Sequence, residues 1–347
     1  MQDEIYLSRE SGKMKDWKSY LKSDPTEWLL EEENPSVRYF ALKELLGKKE
    51  KNSDVIEARM KIMESAPVTK ILGKQEAGGH WGPLNDFYVR AKYKGTVWSF
   101  LLLAELGADG EDERIRKAAE FIFTWSQDRQ SGGFSYMGTD KNGGRHSGVL
   151  PCLTGNMVFS MLRFGYRDDP RVIDALDHIA KCQRFDDGKK PPDEWPYNKY
   201  DDCYGKHTCH MGAAKALKAL AEVPEDKRTK EMKDTLNEGV EYFLIHHIYK
   251  RSHDLKRVSK PGWLRFGFPL MYQTDVLELL DILTGLGYRD PRMQDALNLV
   301  VEKQDKHGKW LMQNSMNGRM AASIERKGKP SKWITLRALK VLRRFYG

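Results

Sequence analysis

The chain has 347 residues, 40% apolar and 11% aromatic, with 58 Lys and Arg against 50 Asp and Glu for a net charge of +8. That is enough chain to bury a large core, and it is too apolar and too aromatic to stay disordered. No stretch approaches the ~20 apolar residues that span a bilayer. The opening MQDEIYLSRESGKMKD has no apolar signal region, so a cytoplasmic protein without a transmembrane segment is expected. The basic residues are scattered along helix-like stretches, as on a solvated surface, and nucleic-acid binding is not expected. The four cysteines, Cys152, Cys182, Cys203 and Cys209, point in such a compartment to metal or catalysis before disulfides.

The first 33 residues stand outside any repeat. From residue 34 the chain repeats itself. One copy begins PSVRYFALKELLG at Pro35, passes Asp54-Val55 and a helix, and ends at Gln75 and Gly78-Gly79-His80-Trp81. The next begins at Leu103 with LAELG, an acidic turn and ERIRKAAEFIF, then reaches Gln127 or Gln130 and Gly132-Gly133-Phe134. Leu162 to Gly188 and Leu283 to Trp310 share a Gly-Tyr-Arg-Asp turn, a Pro-Arg pair, one helix and a Gln. A degenerate copy starts at His207 with HTCHMGAAKALKALAEVPEDKR and continues as a helix to about Tyr249. A half-copy, PSKWITLRALKVLRRF, ends the chain. Each unit reads as a helix, a turn, a second helix and a Gln–Gly–aromatic loop.

Val158, Met161, Leu162 and Phe164, and likewise Val276, Leu279, Leu280 and Leu283, follow the helical period. The AAKALKAL run from Ala213 alternates small apolar residues with lysines read as exposed. Asp169 and Asp290 occupy repeat turns and read as helix N-caps. Strand signals are nearly absent, so the expected fold class is all-α, with about five to six helical hairpins.

The loops Gln75…Trp81, Gln130…Phe134 and Gln304…Trp310 resemble the QW-type repeats of squalene–hopene cyclases and their relatives. That superfamily includes the protein prenyltransferase β-subunits. The resemblance covers about Asn34 to Gly347. It implies a single α/α-toroid domain over 34–347 after an N-terminal extension over 1–33, with the pocket where the N-terminal ends of parallel inner helices open. Aligning those helices puts Cys152 level with Cys209 and turns Asn156, His210, Tyr272 and Asp275 toward one cavity. Trp98, Phe268, Tyr272 and Trp333 are expected to line it.

The densest chemistry is DDCYGKHTCH, Asp201 to His210. Cys203 and His207 are four residues apart and suit one ion; Cys209 and Cys152 would complete a tetrahedral N/S set, which favours zinc. Asp201-Asp202-Cys203-Tyr204 resembles the Asp-x-Cys-Tyr of prenyltransferase β-subunits, which implies Asp201 and Cys203 as zinc ligands. The family's later His does not transfer, because Tyr272 and Asp275 stand there. His210, Asp275, Tyr272 and Asp202 are the acid–base or orienting candidates. Arg251 and His253 belong to a basic cluster from Lys250 to Lys260 that suits a diphosphate or is a solvated loop. Arg145 and His146 are a weaker anion or acid–base pair. Asp-x-Asp-Asp and Asp-Asp-x-x-Asp are both absent, which disfavours squalene-type cyclisation.

The function expected is a zinc-dependent enzyme acting on an apolar or isoprenoid-like substrate in the central cavity, with a protein partner in some relatives. The alternatives are a non-catalytic toroid with structural zinc that binds a protein, peptide or lipid, and a metal-free terpenoid cyclase using Asp201, Asp202 or Asp275.

Overall fold

A computed structural model describes residues 16–90 and 92–347. The helices in chain order are α1 (Thr26–Leu29), α2 (Pro35–Phe40, continued by a π-helical turn Ala41–Leu45), α3 (Ser53–Glu64), α4 (Ala66–Leu72), α5 (Thr96–Glu105), α6 (Glu113–Ser126) and α7 (Pro151–Arg163). Then come α8 (Pro170–Cys182), α9 (Asp201–Tyr204), α10 (His210–Glu222), α11 (Lys230–Ile245), α12 (Val276–Gly285), α13 (Gln294–Glu302) and α14 (Lys332–Tyr346). Strands among the described residues are two short antiparallel ribbons. They are β1 (Gly138–Thr139) with β2 (Gly143–Gly144), and β3 (Lys250–Arg251) with β4 (Asp254–Val258). The all-α reading holds. No helix among the described residues is long and apolar enough to cross a membrane.

Two helix types alternate. In α5, Thr96 through Ala104 are all buried, as befits an inner helix surrounded by neighbours. In α8 only Val172, Ala175, Leu176, His178 and Ile179 are buried, one stripe of an amphipathic outer helix. Helices α2, α5, α7, α10, α12 and α14 form the inner layer. Helices α3, α6, α8, α11 and α13 pack outside it.

The repeat grammar has a hydrogen-bonding basis. In two units the loop glutamine donates its amide to the start of the next outer helix, Gln75 to the Arg114 carbonyl (2.8 Å) and Gln127 to the Arg171 carbonyl (2.6 Å), whereas Gln183 donates to the adjacent Arg184 carbonyl (2.7 Å). It is Gln127, not Gln130, that fills this position. The loop aromatic donates its backbone N–H to a threonine of the next inner helix: Trp81 to Thr96, Phe134 to Thr154, Trp310 to Thr335. The Trp81 and Trp310 indoles also donate back to the Ile71 and Val300 carbonyls. Asp169 and Asp290 are N-caps, accepting from the N–H of Arg171 and Arg292. Those arginines then fork onto Glu120 and Glu241 of the preceding outer helix.

The same device closes the ring. Gln304, at the end of α13, donates to the Tyr20 carbonyl (2.9 Å) and accepts from the Lys22 N–H (3.0 Å). Tyr20 stacks on Tyr346 at 3.9 Å, and Lys332 bridges to Glu31 and Glu33. Gly308 has φ +69, and a Cβ there would collide with the Ser23 backbone. From Asp16 on, the segment expected as an N-terminal extension thus packs against α14 and the loop after α13. Residues 1–15 lie outside the described residues.

One sequence expectation is reversed. Lys215 and Lys218 of α10 are not exposed; Lys215 is 1% exposed. They face Glu278 of α12 across the ring, with Lys215 Nζ 2.7 Å from one carboxylate oxygen and 2.8 Å from the other, and Lys218 also pairs with Glu105. The alternation is that of an inner helix whose lysines point at carboxylates, because a buried charge needs a partner.

Two outcomes are expected. Gln304→Ala leaves the Tyr20 carbonyl and Lys22 N–H without partners and lowers stability by about 2–3 kcal/mol in urea melts, whereas Gln130→Ala changes it by less than ~0.5 kcal/mol. Burial alone would raise the Glu278 carboxyl, but Lys215, Lys218 and Arg337 outweigh it and hold it down to about 2 against an ordinary 4.5. Its contribution is therefore complete above pH 4.5 and lost as pH falls from 4.5 toward 2. Glu278→Gln is expected to cost about 3 kcal/mol at pH 7, with the gap to wild type shrinking across that acid window.

Candidate functional site

The N-terminal ends of α5, α10, α12 and α14, with their preceding loops, enclose a pocket of about 440 Å³. Tyr93 precedes α5 and Met211 begins α10. Trp263, Leu270 and Met316 come from the loops before α12 and α14. These five make its apolar wall. Lys260, Arg265 and Arg319 add three cations, and Gln273, Thr274, Asn314 and Ser315 add neutral polar groups. No carboxylate lines the pocket. Lys260, Arg265 and Arg319 are exposed, and none forms an ion pair among the described residues. The Arg319 guanidinium lies 4.9 Å from the Tyr93 ring centroid.

The wall is built on strained backbone. Tyr93 has φ 74 and Met271 φ 57, left-handed conformations that cost a non-glycine residue about 1–3 kcal/mol. Both hold rings in place: Tyr93 and Tyr272 lie parallel with centroids 6.4 Å apart. Tyr272 contacts Trp98 at 6.0 Å, and Lys92 Nζ sits 5.2 Å from the Tyr272 centroid. Trp98 stacks on Tyr88 and donates to its carbonyl. Asn156 donates to the Met271 carbonyl (3.3 Å), and its buried Oδ1 has no partner among the described residues. Trp98, Asn156 and Tyr272 are therefore brought together beside the pocket, not in the lining where the sequence reading places them.

Other expected residues fall elsewhere. Phe268 stacks on Trp333 at 4.1 Å, and Trp333 lines a different cavity at the opposite ends of the inner helices. Asp275 is 1% exposed and caps α12, accepting from the Glu278 and Gly267 N–H groups. Burial pushes its carboxyl up to about 6, against the pull of Arg337. His210 is packed among Tyr242, His246 and Trp263, and burial pulls its imidazole down to about 3, so it is neutral at physiological pH. Arg251 closes β3 and the exposed His253 follows it in the ribbon turn; of the basic cluster only Lys260 reaches the pocket. His146 bonds Asp128 (2.6 Å) and stacks on Trp195, while Arg145 is exposed.

The metal expectation finds no assembled ligand set. His207 is turned outward, its side chain 68% exposed and bonded to Asp187 at 2.8 Å. Asp201 and Asp202 are exposed on α9. Gly212 packs on Pro151 and Gly155 on the Lys215 backbone, so Cys152 lies level with Gly212, about one turn beyond Cys209. Cys152, Cys203 and Cys209 are near enough for each thiolate to oppose another. Yet no group of three His, Cys, Asp or Glu among the described residues is placed to hold a metal. Cys152 is instead bonded to the Tyr88 hydroxyl at 3.3 Å. These donors do not fit zinc as they stand. Burial pushes Cys152 up to about 11 and Cys203 up to about 12.

Tyr93, Arg265, Arg319 and Met271 carry no sequence signature that marks them. The anchoring threonines do carry one, because GTVW, LTGN and WITL hold Thr at one repeat position.

No family model and no curated protein matches this chain. Solved structures similar to it include the type II terpene cyclase MstE from Scytonema without ligand (TM-score 0.41, 16% identity, covering 90% of this chain and 87% of that one). A variant of that cyclase in complex with geranylgeranyl dihydroxybenzoate, its substrate, has a TM-score of 0.40 and 15% identity, covering 92% and 87%. A protein from Actinoplanes has a TM-score of 0.43 and 14% identity, covering 89% of each chain.

Thiols raised this far are protonated at neutral pH. Iodoacetamide is expected to label Cys152 and Cys203 slowly at pH 7.5, with rates rising steeply toward pH 10 and beyond. Rapid labelling at pH 7.5, or zinc that copurifies and is lost in Cys203→Ser, would show that the thiols are held as thiolates.

Proposed function

We propose that this protein is a terpenoid-cyclase-like toroid that takes an amphiphilic anion, an isoprenoid-like apolar tail carrying an acidic head group, at the N-terminal mouth of its ring. The observation that carries this reading is a pocket walled by Tyr93, Trp263, Met211, Leu270 and Met316, which holds three cations and no carboxylate. Aromatic and thioether walls suit a flexible apolar tail. Lys260, Arg265 and Arg319 would take the head group, and arginine forks match phosphate or carboxylate. At +8 the chain as a whole also favours the approach of an anion.

Acid-driven cyclisation through Asp275 is disfavoured. A carboxyl pushed up to about 6 is a weaker acid than a free one, and both its oxygens already accept backbone N–H groups. Asp275 instead fixes the start of α12, and through Gly267 the loop that carries Arg265. Zinc-dependent chemistry needs a ligand set that the Asp201 to His210 segment does not assemble, so no step is assigned to a metal.

Isothermal titration with farnesyl diphosphate, farnesol and inorganic pyrophosphate tests the proposal. The diphosphate is expected to bind at least about tenfold more tightly than either half and to weaken with salt. Arg319→Ala is expected to lose about tenfold in affinity at unchanged melting temperature. No binding of the diphosphate, or equal binding of pyrophosphate alone, would sink it.

A further inference from the structure

The opposite, C-terminal ends of the inner helices enclose a second cavity, of about 280 Å³, to which α5, α7, α10, α12, α14 and the turn after α2 all contribute. Five cations line it, Arg163, Lys218, Arg337, Lys340 and Arg344, together with five carboxylates, Glu44, Glu105, Glu222, Glu278 and Asp281. Most are mutually bonded. Arg163 meets Glu222 at 2.8 Å, Arg344 meets Asp281 at 2.7 Å, Lys218 pairs with Glu105, and Lys340 pairs with Glu44.

Arg337 is the exception. Its side chain is 13% exposed, and its nearest carboxylate oxygens lie at 3.6 Å on Asp281 and 3.9 Å on Glu105, beyond hydrogen-bond reach. Among the described residues its guanidinium makes no hydrogen bond. A guanidinium that borders the cavity without a hydrogen-bonding protein partner keeps its donors for a ligand, and a planar fork is shaped for a carboxylate.

We infer that this cavity is a binding site for a small zwitterion of the α-amino-acid class, its carboxylate on Arg337 and its ammonium on Glu105 or Asp281. Wall charge that balances, five against five, disfavours a ligand with net charge. The two acids flanking Arg337 would repel a dianion such as phosphate. Ala104, Ile282, Leu336 and Trp333 leave an apolar stretch of wall for an aliphatic side chain. The volume is near the lower end of small-ligand pockets, about 300–1,000 Å³. This site is separate from the N-terminal pocket, and the inference does not depend on what that pocket binds.

The test uses the full chain and three matched probes: L-leucine, 4-methylpentanoate and 3-methylbutylamine. By isothermal titration, L-leucine is expected to bind with a Kd below about 1 mM, and the acid-only and amine-only probes at least about tenfold more weakly. Arg337→Lys should weaken leucine binding at least about tenfold, whereas Arg319→Ala at the other face should leave it unchanged. Should Arg337→Lys fail to fold, Ala104→Leu, which fills the cavity from its apolar wall, should block binding in the same way. No saturable leucine binding, equal binding of 4-methylpentanoate, or leucine binding indifferent to the cavity variants would each overturn the inference.

Discussion

The ring is held by glutamine side-chain amides that reach from one hairpin to the next at three of its junctions. A helical hairpin cannot bury its own apolar stripe, so it must be held in register against its neighbours. Gln75 and Gln127 do this by donating to the first turn of the following outer helix, and Gln304 repeats the gesture toward Tyr20. Because that last bond joins residues far apart in sequence, the array closes on itself. The threonines that accept from the loop aromatics tie the same loops inward. At these three junctions a unit is thus fastened to the next on both layers.

Closure with parallel inner helices has a chemical consequence. It gathers six helix N-terminal ends on one side and six C-terminal ends on the other, and the two sides differ. The first side holds aromatic rings and methionines around cations that have no acid partner among the described residues. The second holds a balanced lattice of ion pairs. Between them run Lys215 and Glu278, buried and paired. The ring interior is therefore not one greasy cavity. At the N-terminal mouth Tyr93 and Met271 hold left-handed backbone that the surrounding loops must stabilise.

The legible features share a property: each depends on residues close in sequence. The Asp-Pro-Arg turns announced their caps, and the caps are there. The spacing of glutamine, glycine and aromatic marked the loops. Where two glutamines competed, spacing did not separate Gln127 from Gln130; only the position of the Arg171 carbonyl does. Lys215 and Lys218 read as solvated because lysine usually is. Their partner Glu278 sits 63 residues from Lys215, and nothing local announces it, although a glutamate inside the apolar VLELLDIL run was the available hint. His207 looked like a ligand beside Cys203 and turned instead to Asp187.

By itself, the sequence determined the helical class, the repeating hairpin, the caps and the loops that carry the staple, because these follow from local periodicity, backbone hydrogen-bond needs and turn chemistry. Only the tertiary structure decided that the array closes through Tyr20 and Gln304, that buried lysines meet Glu278, and that the Asp201 to His210 donors point apart. It also placed Arg265 and Arg319 together at one mouth and Arg337, without a hydrogen-bonding partner among the described residues, at the other. Those outcomes depend on distances between residues in different hairpins, and such distances exist only once the ring has closed.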